Sequence, residues 1–156
     1  MNGIIGQLIT DPDEWDNRFL RLAKEVASWS KDHECKVGAV LVSPDKRRFA
    51  VGYNGFPRGV IDTKERLRGA DRLPLTAHAE LNALLNAGCD LSGWTIYCTR
   101  GPCLECAKAI IQSRIARVVF PPLDPESSWH ANNMVAIQLM REAKLTVYVK
   151  SNAEDL

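Results

Sequence analysis

Several things are scarce in this sequence of 156 residues, and each scarcity removes a class of protein. No apolar run comes near the roughly 18 residues a membrane-spanning helix needs, so no span and no membrane partner are expected. Charge of one sign is not in excess. Twenty Lys and Arg against 19 Asp and Glu leave a formal net charge of +1. A nucleic-acid face therefore has no global electrostatic support, although a local basic patch is enough to hold one phosphate. Cysteines are few and odd in number. Cys35, Cys89, Cys98, Cys103 and Cys106 have no scaffold-like spacing, which argues against a disulfide framework and for metal or catalytic use of some of them. Met1 to Thr10 carries neither a basic start nor a small-residue cleavage site, so no signal peptide is expected, and a cytoplasmic location with reduced thiols follows. What remains is 46% hydrophobic and 25% charged, an ordinary globular composition. A single domain over residues 1–156 is expected.

The pattern of elements reads from the N-terminus. Asp11, Pro12 and Glu14 form a helix start, and Trp15, Phe19, Leu22, Val26 and Trp29 follow as one apolar stripe expected to pack in the core. Val37 to Ser43 and Arg48 to Tyr53, joined by Pro44-Asp45-Lys46-Arg47, read as a hairpin. Asn54 to Pro74 reads as a long loop, a length that often carries function. Helices are predicted over His78 to Ala87, with Leu81, Leu84 and Leu85 on one face, over Cys103 to Ser113, and over Asn132 to Ala143, which carries Val135, Ile137, Leu139 and Met140. Strands are predicted at Thr95 to Cys98, Arg117 to Phe120 and Leu145 to Val149. A helix, a hairpin and three helix–strand units imply an α/β fold with a mixed sheet and helices packed over it.

Two motifs carry chemistry. His78-Ala79-Glu80 and Pro102-Cys103-Leu104-Glu105-Cys106 each stand at a predicted helix start. The cysteines are three apart, so both thiols face one way on the first turn. One imidazole and two thiolates make a three-ligand zinc site whose fourth tetrahedral position stays open for water. Helix N-termini aimed at the metal favour thiolate over thiol. Glu80, two residues from His78, can lie beside that water without binding the metal and act as general acid and base. His-x-Glu with Pro-Cys-x-x-Cys is the known pattern of zinc nucleobase deaminases. In that chemistry a zinc-bound hydroxide attacks the ring carbon bearing the exocyclic amine, Glu80 protonates the neighbouring ring nitrogen, and the amine leaves as ammonia. The competing reading is a non-catalytic structural zinc module. It needs a fourth ligand, for which His33, His130 and Cys98 are candidates, and it leaves Glu80 without a task.

From about Phe19 to Val149 the chain resembles the deoxycytidylate (dCMP) deaminase family of the cytidine deaminase-like superfamily. The resemblance rests on Ser30-Lys31-Asp32, Val37-Gly38-Ala39-Val40, Gly52-Tyr53-Asn54-Gly55-Phe56-Pro57-Arg58-Gly59, His78-Ala79-Glu80-Leu81-Asn82-Ala83 and Pro102-Cys103-Leu104-Glu105-Cys106-Ala107-Lys108. It implies a three-layer α/β/α fold with a central mixed five-stranded sheet, and one catalytic Zn2+ held by His78, Cys103 and Cys106 with Glu80 as proton shuttle. The implied reaction is hydrolytic deamination of dCMP to dUMP and ammonia. It also implies a homo-oligomer, often a hexamer, and in several members activation by dCTP with inhibition by dTTP. Alternative substrates are a 5-modified dCMP, a free nucleoside or a tRNA adenosine, the last disfavoured because it needs a basic face that a net charge of +1 does not advertise.

Candidate substrate contacts lie after the hairpin. Asn54 is placed to bond the sugar hydroxyl or simply to tolerate a left-handed turn, and Tyr53 to wall the base. Arg58, Lys64, Arg66, Arg68 and Arg72 are candidates for the phosphate, or else form a solvated loop with interleaved acids. Trp129-His130 either approaches the substrate or packs at the sheet edge, and packing is the expectation. Cys35, Cys89 and Cys98 read as small apolar residues. Two departures from the family stand out: Gly55 to Ala77 lacks the extra Cys or His ligands of some members, and Ala143-Lys144-Leu145 stands where relatives often have glycine.

Overall fold

The structure, a computed structural model, describes residues 12–151. The predicted cap at Asp11 lies outside the described residues. The first helix, α1 (Pro12–Ser28), leads into the hairpin strands β1 (Gly38–Val42) and β2 (Phe49–Tyr53), which pair antiparallel with Val40 opposite Val51. The inward side of α1 is rotated from the predicted stripe. Phe19, Leu20, Ala23, Val26 and Ala27 are buried, whereas Trp29 stands past the helix end, 50% exposed, with its ring edge-on to Tyr53. The cause is close backbone approach. A Cβ at Gly38 would sit 2.1 Å from Ala23 O and 2.6 Å from Ala27 N, so small side chains must occupy the centre of the contact. Large side chains are pushed to its margins.

Residues 54–77 do not form a plain loop. They hold two short helices, α2 (Lys64–Arg68) and α3 (Arg72–Leu75). Thr63 caps α2 by accepting from Arg66 N, and Pro74 fits in the first turn of α3, where its missing N–H costs nothing. A bridge between Gly55 and Ala77 closes the excursion, returning the chain beside β2.

Next come α4 (Ala79–Ala87), β3 (Thr95–Cys98), α5 (Leu104–Gln112), β4 (Arg117–Phe120), α6 (His130–Glu142) and β5 (Thr146–Val149). Gly88 ends α4 in the left-handed conformation that glycine takes without strain. The sheet order is β2-β1-β3-β4-β5, antiparallel through β1 and parallel from β3 to β5, which is the expected mixed five-stranded sheet. Strand residues alternate between two cores. Ala39, Leu41, Ile96, Cys98, Val118 and Phe120 pack with the buried residues of α4, α5 and α6. Val40, Val42, Tyr97 and Val119 pack with α1 on the opposite face. The expected three layers are therefore present.

On α4 and α6 some of the apolar side chains picked out in the sequence face outward. On α4 the buried side chains are Ala79, Glu80 and Ala83, while Leu81 and Leu85 are exposed. Gly52 explains it: a Cβ there would lie 2.2 Å from Ala83 N and 2.3 Å from Ala79 O, so α4 presses its own backbone onto β2. On α6 the inward residues are Asn133, Ala136, Ile137 and Met140, and Val135 points out. Lys144, just before β5, takes φ +68°, the left-handed conformation for which glycine is suited.

Candidate active site

The chain folds so that two helices begin next to each other, and the residue starting each is a metal-type donor. His78 is the N-cap of α4, with extended backbone and no capping bond from its ring, which leaves the imidazole to other partners. Cys103 is the N-cap of α5, and its Sγ accepts from Cys106 N at 3.5 Å. His78 Nδ1 lies 3.4 Å from Cys103 Sγ and 3.4 Å from Cys106 Sγ. The three donor atoms all fall within 4.8 Å of one another. Tetrahedral zinc with ordinary Zn–N and Zn–S bonds separates nitrogen from sulfur by about 3.6 Å, so this donor set fits zinc in both chemistry and spacing. Among the described residues, His33, His130 and Cys98 do not join the group. The position a fourth ligand would close in a structural site is left to the cavity.

The electrostatics suit a cation. Hydrogen bonds from the Cys106 thiol and the His78 ring, working against burial, bring the Cys103 thiol down to about 4. The same bond and its own burial push Cys106 up, so Cys103 is the member of the pair that ionises first. The N-terminal ends of α4 and α5 add positive potential at the same point. Glu80, in the first turn of α4, is buried, and Cys106 Sγ lies 3.6 Å from its Oε2. Desolvation raises the Glu80 carboxyl above its ordinary range. A carboxyl raised in this way and set beside the donor cluster is suited to taking up and returning a proton.

The cluster opens into a cavity of about 440 Å³, large enough for a nucleotide-sized ligand. His78, Ala79, Glu80 and Cys103 form its floor, and Pro121, Pro122, Leu123 and Trp129 form an apolar wall. Trp129 is not simply packed at the sheet edge, as expected from sequence. It lines the cavity with its ring edge-on to His78 at 6.2 Å, because α6 starts at His130, two residues earlier than predicted, and carries Trp129 in at its N-cap.

The three proposed substrate contacts part company. Asn54 is buried and lines the cavity, and its amide is bonded to main chain: Oδ1 accepts from Val37 N and Nδ2 donates to Cys35 O, both at 2.8 Å. Tyr53, expected to wall the base, is not among the residues that line the cavity. As the neighbour of Asn54 in the extended chain it points the other way, toward Trp29. Arg58 lies outside the cavity as well, donating to Asn86 Oδ1 at 2.9 Å on the outer side of α4.

Of the basic loop, Arg72 reaches the cavity, where Asp32 and Glu34 hold it. Arg100, which sequence reading missed, is a second cation in the lining and donates to Cys35 Sγ, so Cys35 is a cavity residue rather than inert filling. Asp32 sits at the centre of this wall. Its Oδ1 accepts from Glu34 N and Cys35 N, both at 2.9 Å, and these bonds with Arg72 hold its carboxyl below the usual range despite burial. Asn133 also escaped sequence reading. Its signal was a polar residue standing in an otherwise apolar helical stripe with Ala136, Ile137 and Met140.

Comparison with known proteins agrees with this geometry. Residues 13–121 match the family described as the cytidine and deoxycytidylate deaminase zinc-binding region. The chain is 38% identical over 136 residues to an uncharacterized deaminase in the luxG 3′ region of Aliivibrio fischeri, covering 86% of this chain and 92% of that protein. It is 44% identical over 108 residues to a probable deoxycytidylate deaminase of Caenorhabditis elegans, covering 66% of this chain and 55% of that one. It is 38% identical over 114 residues to the human deoxycytidylate deaminase, covering 69% of this chain and 64% of that one. The fold superimposes on the dCMP deaminase of cyanophage S-TIM5, solved in complex with dCMP and dUMP, with a TM-score of 0.73 at 24% identity over 90% of this chain and 99% of that one. The chain belongs to the cytidine and deoxycytidylate deaminase zinc-binding family.

Proposed function

We infer that the protein is a zinc-dependent hydrolase that converts dCMP and water to dUMP and ammonia. The observation that carries this reading is Glu80, a buried carboxyl with Oε2 3.6 Å from Cys106 Sγ, at the floor of a cavity that also exposes His78 and Cys103. His78, Cys103 and Cys106 would hold one zinc ion, as their mutual distances support. When bound there, zinc supplies a Lewis acid that makes water a competent nucleophile at neutral pH. Glu80 takes the proton released from that water and delivers it to the ring nitrogen beside the amine-bearing carbon. The same carboxyl then takes the proton of the hydroxyl newly formed on that carbon and passes it to the departing amine, so that the carbonyl forms as the carbon–nitrogen bond breaks and ammonia leaves. Trp129 and the Pro121-Pro122 wall exclude bulk water from the ring, while Arg72 and Arg100 offer cations for the 5′-phosphate.

The five described strands share one sheet with the helices packed on it, which supports reading them as one deaminase domain. Homo-oligomeric assembly, with dCTP and dTTP as effectors, belongs to the same reading. Support for assembly comes from Leu81 and Leu85, exposed one turn apart on α4.

The test is ammonia release from the zinc-loaded protein with dCMP and deoxycytidine side by side, for wild type and Glu80→Gln. Wild type is expected to prefer dCMP, and the variant to retain zinc and fold while losing nearly all turnover. An active Glu80→Gln protein would refute the proton-shuttle role. Equal use of deoxycytidine would refute the need for a phosphate.

A further inference from the structure

The two cysteines of the donor cluster depend on a turn that α6 grips from outside. Asn133 is buried in the inward stripe of α6, where an apolar side chain would pack without any need for partners. Burying an amide costs free energy unless its hydrogens are satisfied. Here both are used on consecutive main-chain carbonyls: Nδ2 donates to Gly101 O and to Pro102 O, at 2.9 Å each. Those residues immediately precede Cys103. Its neighbour Asn132 accepts at Oδ1 from Leu104 N at 2.8 Å, on the other side of the same cysteine. The two asparagines therefore hold the chain at 101, 102 and 104, bracketing Cys103. In the same turn of the molecule, Trp129 sets its ring against His78, the third donor.

Resting on the reading that His78, Cys103 and Cys106 hold zinc, we propose that Asn133, assisted by Asn132, is a positioning residue for the metal site. It fixes the 101–104 turn so that both thiols already stand at coordinating distance from His78. Metal binding then orders little that is not ordered beforehand. Partners outside the ligand set that orient ligands in this way are worth about 10–100-fold in metal affinity.

The test measures zinc affinity of the folded protein by competition with a chromophoric chelator, together with the cadmium–thiolate charge-transfer band. Asn133→Asp keeps the shape but loses the donor and faces two carbonyls. Its zinc affinity is expected to fall about tenfold or more, with an altered cadmium band. Asn132→Asp retains an acceptor for Leu104 N and is expected to bind zinc like wild type, whereas Asn132→Ala is weakened. Asn132 is exposed, so this second pair keeps the test available if Asn133→Asp fails to fold. A role in folding alone would lower the melting temperature and leave the affinity and the cadmium band of the folded protein untouched. Unchanged zinc affinity in both Asn133→Asp and Asn132→Ala overturns the proposal while the ligand assignment stands. Wild type that takes up no zinc, or a Cys106→Ala protein that binds it as tightly as wild type, overturns the ligand assignment and the proposal together.

Discussion

Gly52→Ala is the sharpest probe of how the fold seats the site. Helix α4 carries His78 at its N-cap and Glu80 in its first turn, and it lies backbone against backbone on β2 at Gly52. A methyl group there would stand 2.2 Å from Ala83 N and 2.3 Å from Ala79 O. Carbon and nitrogen settle at roughly 3.5 Å, so α4 must retreat by about 1 Å. Neither opposing atom is the end of a flexible side chain, so the strain is relieved only by moving the helix. Overpacking of this kind costs about 1–3 kcal/mol, and a main-chain clash belongs at the upper end. For a domain of this length that is a fall of roughly 5–10 °C in melting temperature. The displaced segment begins at Ala79, between His78 and Glu80, so zinc uptake and turnover should fall with stability. Urea and thermal unfolding, zinc content and ammonia release read all three effects. Gly55→Ala is the control, because a Cβ there meets nothing within 4 Å and its backbone is not left-handed. If Gly52→Ala matched Gly55→Ala in stability and activity, the close seating of α4 on β2 would be wrong.

Asp16 is buried and bonded by Arg117 through both oxygens and by the Tyr97 hydroxyl at 2.8 Å; burial alone would raise its carboxyl, but Arg117 and Tyr97 hold it below its ordinary 3.8. A depressed carboxyl binds fewer protons folded than unfolded, so its contribution is complete above about pH 4 and is lost as pH falls below that. Asp16→Asn should therefore destabilise the protein at neutral pH by about 3 kcal/mol, the low end for a broken buried pair because Arg117 is partly exposed, and should weaken the loss of stability on acidification. Acid-titrated urea melts check this, and an unaltered acid limb in the variant would show that another group controls it. At the cavity, Tyr53→Ala and Arg58→Ala are expected to leave KM for dCMP unchanged, since neither side chain lines it. Trp129→Ala should raise KM severalfold, the loss of about 1 kcal/mol of aromatic contact. Initial-rate kinetics on the three proteins decide it, and the opposite ranking would restore the hairpin end as the substrate wall.

Local sequence determined what depends on nearest neighbours and on chemistry. The hairpin around Pro44-Asp45, the strands at 95–98 and 117–120, and the helix starts at His78 and Cys103 stand where alternation, turn residues and caps put them. The donor set was legible too, because few residue types bind zinc and because a helix start brings residues three apart onto one side. Tertiary packing decided which side of each helix turned inward. Periodicity shows that Trp15, Leu22 and Trp29 share a face, but not that Gly38 pulls α1 so close that alanines must occupy its centre. In the same way Leu81 and Leu85 give way to Ala79 and Ala83, since the missing side chain that matters belongs to Gly52 on another element. The cavity wall followed the same rule. Asp32, Arg72, Arg100, and Trp129 with Asn133 come from four separate stretches of chain, and only the closed sheet brings them around His78 and Glu80. One sequence specifies what each residue can do, whereas which residues meet depends on distances set by side chains far away along the chain.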